Sequence, residues 1–175
     1  MKKILLISSL VLVNTFSLNA FAQKKKNLKP QVNYNITYDL GAATGNHGSR
    51  PYNEINIGLN WYLTENLNWR NAFFSRFGSG TSVTGLDTSL RYEIRGQSED
   101  GLGYSFFAGP GYRVSTSENS ALFFEAGAVF KVGGLSLGGG VKSMFYYNPG
   151  KDSNGADLPK QDTSYFLILS GGGVF

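Results

Sequence analysis

LDTSLRYEIR, residues 86–95, alternates with a period of two. Leu86, Leu90, Tyr92 and Ile94 share one side; Asp87, Ser89, Arg91, Glu93 and Arg95 share the other. A helix, with about 3.6 residues per turn, would mix the two sets. A strand, whose successive side chains point to opposite faces, keeps them apart. One face of this segment suits an apolar medium, and the other carries ions of both signs.

The pattern recurs on both sides of that stretch. Upstream, Val32, Tyr34, Ile36, Tyr38 and Leu40 oppose Asn33, Asn35, Thr37 and Asp39. Next, Ile55, Ile57, Leu59, Trp61 and Leu63 oppose Glu54, Asn56, Gly58 and Asn60, and Leu67, Trp69, Phe73 and Phe77 oppose Asn68, Arg70, Ala72, Phe74 and Arg76. Downstream, a segment over 102–114 carries Tyr104, Phe106 and Tyr112 against Arg113 and several glycines, with Pro110 predicting a bulge or a locally unpaired donor. Segments over 122–132, 135–147 and 165–175 complete the set. At about 10–12 residues each, these are strands long enough to cross a bilayer at a tilt. Residues 64–66, 97–101 and 133–134 read as tight turns, whereas 43–52, 78–85, 115–120 and 148–163 read as longer polar loops. An even number of strands with alternating short and long connections predicts an all-β, eight-stranded antiparallel up-and-down transmembrane β-barrel of outer-membrane type.

Composition closes off other classes. The 175 residues include no cysteine and one histidine, so disulfides, thiol chemistry and a multi-histidine metal site within one chain are excluded. A net charge of +4, with lysines clustered near the start, gives no case for nucleic acid. No cofactor motif is present: the glycine runs at 138–140 and 171–173 lie in strands rather than before helices.

The first residues read as an address. Lys2 and Lys3 precede a mostly apolar stretch, and Ala20-Phe21-Ala22 supplies the small-x-small pattern for cleavage before Gln23. The expected organisation is a signal peptide over 1–22, a short basic periplasmic tail over 23–30 and the barrel over 31–175.

Volume decides which face points inward. An eight-stranded barrel has an interior just wide enough for side chains to fill it. The bulky apolar set cannot fit there, but the set rich in Gly, Ser, Ala and Asn can. The apolar face therefore meets lipid, with aromatic girdles expected at Tyr34, Trp61, Trp69, Tyr104 and Phe130 on the periplasmic side. Tyr38, Phe77, Tyr112, Phe124, Tyr147 and Tyr165 are expected near the outer ends. The inward charges balance: Asp39, Glu54, Asp87, Glu93 and Glu125 face Arg70, Arg76, Arg91, Arg95, Arg113, Lys131 and Lys142. Unpaired charge in a narrow lumen is costly, so a plug of ion pairs is expected.

The signal segment, eight amphipathic segments and terminal Phe175 resemble the small outer-membrane barrels of Gram-negative bacteria of the OmpX and OmpA-membrane-domain type. That resemblance implies integral residence in the outer membrane among its lipid and lipopolysaccharide. It also implies help from periplasmic chaperones and the barrel assembly machinery during biogenesis. Tyr165, Leu167, Leu169 and Phe175 match the pattern read by that machinery, although Gly171 and Gly173 stand where larger residues are usual. The chain ends at the eighth segment, so no appended periplasmic domain is expected.

Three features bear on chemistry. His47 and Ser49, with Glu54 to orient the ring, resemble in spacing the rim residues of lipid A-modifying barrels such as PagL and PagP. The favoured alternative is a solvated loop histidine. Phe123, Met144, Tyr146, Phe166 and Ile168 point inward in the outer half, either as an apolar pocket of the kind seen in OmpW-like barrels or as simple filling. Asp152, Asn154, Asp157 and Asp162 lack the spacing of a calcium loop and read as hydrated. The favoured expectation is a plugged, non-enzymatic barrel acting structurally or through its outer loops, with a ligand-binding or lipid A-modifying barrel as the alternative.

Overall fold

Alternation converts directly into a closed cylinder. The computed structural model describes residues 36–78, 82–98, 102–116, 120–132, 134–151 and 154–171. The signal segment with Ala20, Ala22 and Gln23, the basic tail, Tyr34 and Phe175 lie outside the described residues. The strands are β1 (Ile36–His47), β2 (Arg50–Tyr62), β3 (Leu67–Gly78), β4 (Val83–Gln97), β5 (Gly103–Ser115), β6 (Ala121–Val132), β7 (Leu135–Tyr146) and β8 (Gln161–Gly171). Each pairs antiparallel with the next, and β8 returns to β1 with Leu40 opposite Leu169. Closure leaves no free sheet edge, which is the condition for strands to sit in hydrocarbon.

The outer face is a belt of bulky apolar side chains. Ile57 is 59% exposed and Leu167 is 65% exposed, while Phe74 and Arg113, which point into the barrel, are at 0% and 1%. A contiguous apolar surface of this extent has no place in water. The fold is thus an eight-stranded transmembrane β-barrel, with its polar set inside.

Several connections differ from the expectation. Residues 43–47 and 50–52 are strand, joined by a two-residue turn at Gly48 and Ser49, with Gly48 at φ 64°. The polarity of Thr44, Asn46 and Asn53 marks strand continuing beyond the apolar belt, where the ladder still satisfies the backbone; it does not mark a departure from strand. Only residues 147–160 form a long connection, and 161–163 belong to β8. Long and short loops therefore do not alternate. Tyr38 is also corrected: it pairs with Leu59, close to Trp61, and lies at the end of the barrel where β1 begins. This end is called the terminal end, and the opposite one, with the 48–49 turn and residues 147–160, the loop end.

Pro110 makes no bulge. The β4–β5 register is the same on either side of it, with Ser89 opposite Gly111 and Tyr92 opposite Ala108. The ladder skips only the intervening positions, as a residue without an N–H requires. On the β6 side Pro110 still sits opposite Phe124. Trp61 and Trp69, opposite each other on β2 and β3, meet edge to face at 4.9 Å on the outer surface.

A charge placed on the lipid face tests this architecture. Ile57→Arg, at the middle of β2, is expected to cost about 2–4 kcal/mol in phospholipid vesicles, measured by reversible denaturant unfolding. Glu65→Lys, in the exposed turn at the terminal end, is expected to change stability by less than about 0.5 kcal/mol in the same assay.

Candidate functional site

The lumen is organised around Arg113, contributed by β5. Its Nη1 and Nη2 donate to the two Glu54 oxygens at 2.8 Å each, and its Nε and Nη2 donate to the two Asp87 oxygens at 2.7 Å each. The Phe74 ring lies 3.7 Å from the guanidinium carbon. A planar fork that meets two carboxylates edge-on while stacking on a ring uses what distinguishes arginine from lysine.

From this centre the pairs spread around the barrel. Lys142 Nζ on β7 donates to Asp87 at 2.7 Å and stands 3.9 Å from Glu125 on β6. Glu125 accepts from Arg91 Nε at 2.8 Å, and Arg76 Nε reaches Glu54 at 3.3 Å. Six strands, β2 to β7, are tied together across the lumen. At the loop end Arg76 also donates to the Tyr146 hydroxyl at 3.0 Å, and both Tyr52 and Tyr146 donate to Asp162, at 2.6 and 3.1 Å. Four cations (Arg76, Arg91, Arg113 and Lys142) are thus balanced by Glu54, Asp87, Glu125 and Asp162. A gap at mid-barrel, between Glu54, Arg70, Glu125 and Phe166, is about 10 Å³, hardly enough for one water molecule.

A second network lies nearer the terminal end. Arg70 grips Asp39 through Nε and Nη2, and Asn60 Nδ2 donates to the same carboxylate at 2.7 Å. Asn68 Nδ2 donates to Asn60 Oδ1 at 3.2 Å and to Glu93 Oε1 at 2.6 Å. Arg95 closes the chain onto Glu93 Oε2. Gly58, opposite Asp39, makes room: a Cβ there would lie 2.6 Å from both Arg70 and Asp39. Lys131, expected within the plug, instead lines a separate cavity.

The histidine is neither solvated nor in a catalytic arrangement. His47 ends β1, is 5% exposed, stacks on Tyr146 at 4.3 Å and places Nε2 2.7 Å from the Pro159 carbonyl oxygen. Ser49 is exposed in the adjacent turn, and Glu54 is committed to Arg113 and Arg76. No hydrogen bond joins His47 to Ser49 or to Glu54. Asp162, read as a hydrated loop residue, is buried in β8; Asp152 lies outside the described residues.

The inward apolar residues of the loop half are packed, and of them Ile168 also lines the cavity nearer the terminal end. Phe123, Met144 and Tyr146 pack with Tyr52 and Ala121, whereas Phe166 and Ile168 pack with Phe107. The Phe107 and Phe166 rings stack over Gly127 and Gly140, a pair across β6 and β7 where a Cβ would strike both rings and the neighbouring backbone. The open space is at the other end: a cavity of about 440 Å³ lined by residues of the terminal half, among them Asn68, Arg91, Arg95 and Lys131. Sequence reasoning missed it. A signal was available in Ser105, Ser136 and Ser170, which are small inward residues at the terminal ends of β5, β7 and β8.

The chain matches no family model and no curated protein. Its fold resembles that of solved membrane barrels. The crystal structure of the outer membrane enzyme PagL is similar over 77% of this chain and 99% of its own, with 19% identity and a TM-score of 0.47. A de novo designed transmembrane β-barrel is similar over 77% of this chain and 94% of its own, with 13% identity and a TM-score of 0.47. At these identities the likeness is one of fold and says nothing of activity.

Removing the central arginine leaves two buried carboxylates without their main partner. Arg113→Ala is expected to cost about 3–5 kcal/mol in denaturant unfolding, against less than about 0.5 kcal/mol for exposed Thr163→Ala.

Proposed function

We propose that the chain is an integral outer-membrane barrel closed to permeation, acting structurally or through the surface presented at its loop end. The observation that carries this reading is the Arg113-centred network, which joins six strands across the lumen. Any ion crossing would have to break several charge-assisted hydrogen bonds in a medium of low dielectric. The aromatic side chains on the outer face, such as Trp61 and Trp69 toward the terminal end and Phe77 and Tyr112 toward the loop end, suit two membrane interfaces. Residence in the outer membrane, export by a cleaved signal and use of the assembly machinery belong to the same proposal.

The reading is non-enzymatic because His47 and Glu54 are engaged elsewhere and Ser49 is exposed in the turn without a hydrogen bond to His47. At the loop end, His47, Tyr52, Tyr146 and Asp162 form a hydrogen-bonded and stacked cap over the plug. The cap gives residues 147–160 a rigid base from which to meet a partner outside the cell.

Reconstituted into planar bilayers, the protein is expected to show no stable open channel, whereas Arg113→Ala is expected to produce flickering conductance. A steady porin-sized conductance from the unaltered protein overturns the proposal. The lipid A acyl pattern, read by mass spectrometry with and without the protein, is expected to be the same. A changed pattern abolished by His47→Ala would establish the enzymatic alternative.

A further inference from the structure

The cavity at the terminal end has the features of a binding site, and they agree on one kind of ligand. Its wall mixes hydroxyls and amides (Thr37, Asn60, Ser105, Ser136, Ser170) with the apolar faces of Tyr62, Phe107, Val129 and Ile168. At about 440 Å³ it lies within the roughly 300–1,000 Å³ typical of small-molecule pockets.

One charged group on this wall keeps donors that the protein leaves uncommitted, while its neighbour Asn68 is fully engaged on its donor side. Asn68 is 1% exposed, and both Nδ2 hydrogens are taken, by Asn60 Oδ1 and by Glu93 Oε1. Those bonds fix the amide orientation and leave Oδ1 enclosed among side chains, without a hydrogen bond and closed off from the cavity. Arg91, 4% exposed and with its guanidinium carbon 4.3 Å from the Phe107 ring centre, makes one side-chain hydrogen bond, from Nε to Glu125. Both terminal amino groups remain free for a planar oxyanion.

Charge points the same way. The carboxylates on the wall are already satisfied: Asp39 by Arg70 and Asn60, and Glu93 by Asn68, Arg95 and Ser105. Arg91, Arg95 and Lys131 line the same wall, Arg91 held by Glu125 through Nε alone and Arg95 lying over the Tyr62 ring at 4.0 Å. A cationic ligand would find no open carboxylate. An anion would find the terminal amino groups of Arg91, and its hydroxyls would find the serines.

We propose that this cavity binds a small polyhydroxylated carboxylate of sugar-acid type, its carboxylate on the terminal amino groups of Arg91 and its hydroxyls on the serines of the wall. The site shares Arg91 with the plug but uses only its terminal amino groups, which the bond to Glu125 leaves open. Its failure therefore leaves the closed-barrel reading standing.

The test is isothermal titration calorimetry of the detergent-solubilised full chain with sodium glucuronate as probe. Glucose, which lacks the charge, and acetate, which lacks the hydroxyls, serve as comparison ligands. Saturable one-site binding of glucuronate is expected, at least about tenfold tighter than either comparison ligand. Ser136→Phe, which fills the cavity from β7 outside the ion-pair networks, is expected to abolish binding. Thr163→Phe, on the exposed face of β8, is expected to leave it unchanged. Heat-shifted gel mobility confirms that each variant has folded. Absence of saturable glucuronate binding, equal binding of glucose or acetate, or full binding by folded Ser136→Phe overturns the proposal. Lys131→Gln keeps the test open should Ser136→Phe not fold: weakened glucuronate binding supports the site, and unchanged binding contradicts it.

Discussion

The structure depends on a limit of volume. A cylinder of eight strands encloses room for side chains and little else, so the chain cannot place both of its alternating sets inside. The bulky set goes out, and a surface carrying Ile57, Phe73, Leu90 and Leu167 requires hydrocarbon around it. The small and ionic set goes in, where charges lose their water and must find one another. The exposed apolar belt and the ion-pair plug therefore share one cause.

That cause explains why arginine dominates the interior. Arg70, Arg76, Arg91 and Arg113 each combine a flat face with a fork of donors. Arg113 and Arg76 stack at 3.7 Å on Phe74 and Tyr52 while bonding carboxylates in their own plane. A lumen of this width has no room for hydrated ions, and stacking supplies the contact that water would otherwise give. The glycines at 127 and 140 have a related origin, since the Phe107 and Phe166 rings occupy the space a side chain there would need.

Periodicity made the strands, their order and their facing legible, because every one of them alternates with a period of two. It also made legible which charges would meet, though not in what pairs: Arg113 bridging Glu54 and Asp87 depends on the stagger between strands, which no single segment encodes. The 43–52 region misled because polarity was read as loop. In a membrane barrel, polar alternation also describes a strand that has risen above the lipid, and His47 is buried there through partners, Tyr146 and Pro159, that lie far along the chain. The cavity was illegible for a similar reason. Empty space arises where small residues from several strands converge at one height, and Ser105, Ser136 and Ser170 are far apart in sequence.

The facing of the strands is open to direct measurement. The chain has no cysteine, so single cysteines can be introduced and nitroxide-labelled in phospholipid vesicles. Labels at Leu86, Leu90, Tyr92 and Ile94 should be readily reached by dissolved oxygen and shielded from a water-soluble nickel chelate. Labels at Ser89, Ser105 and Ser136 should be poorly reached by oxygen. The opposite alternation, or none, would contradict a barrel that turns its bulky residues to the lipid.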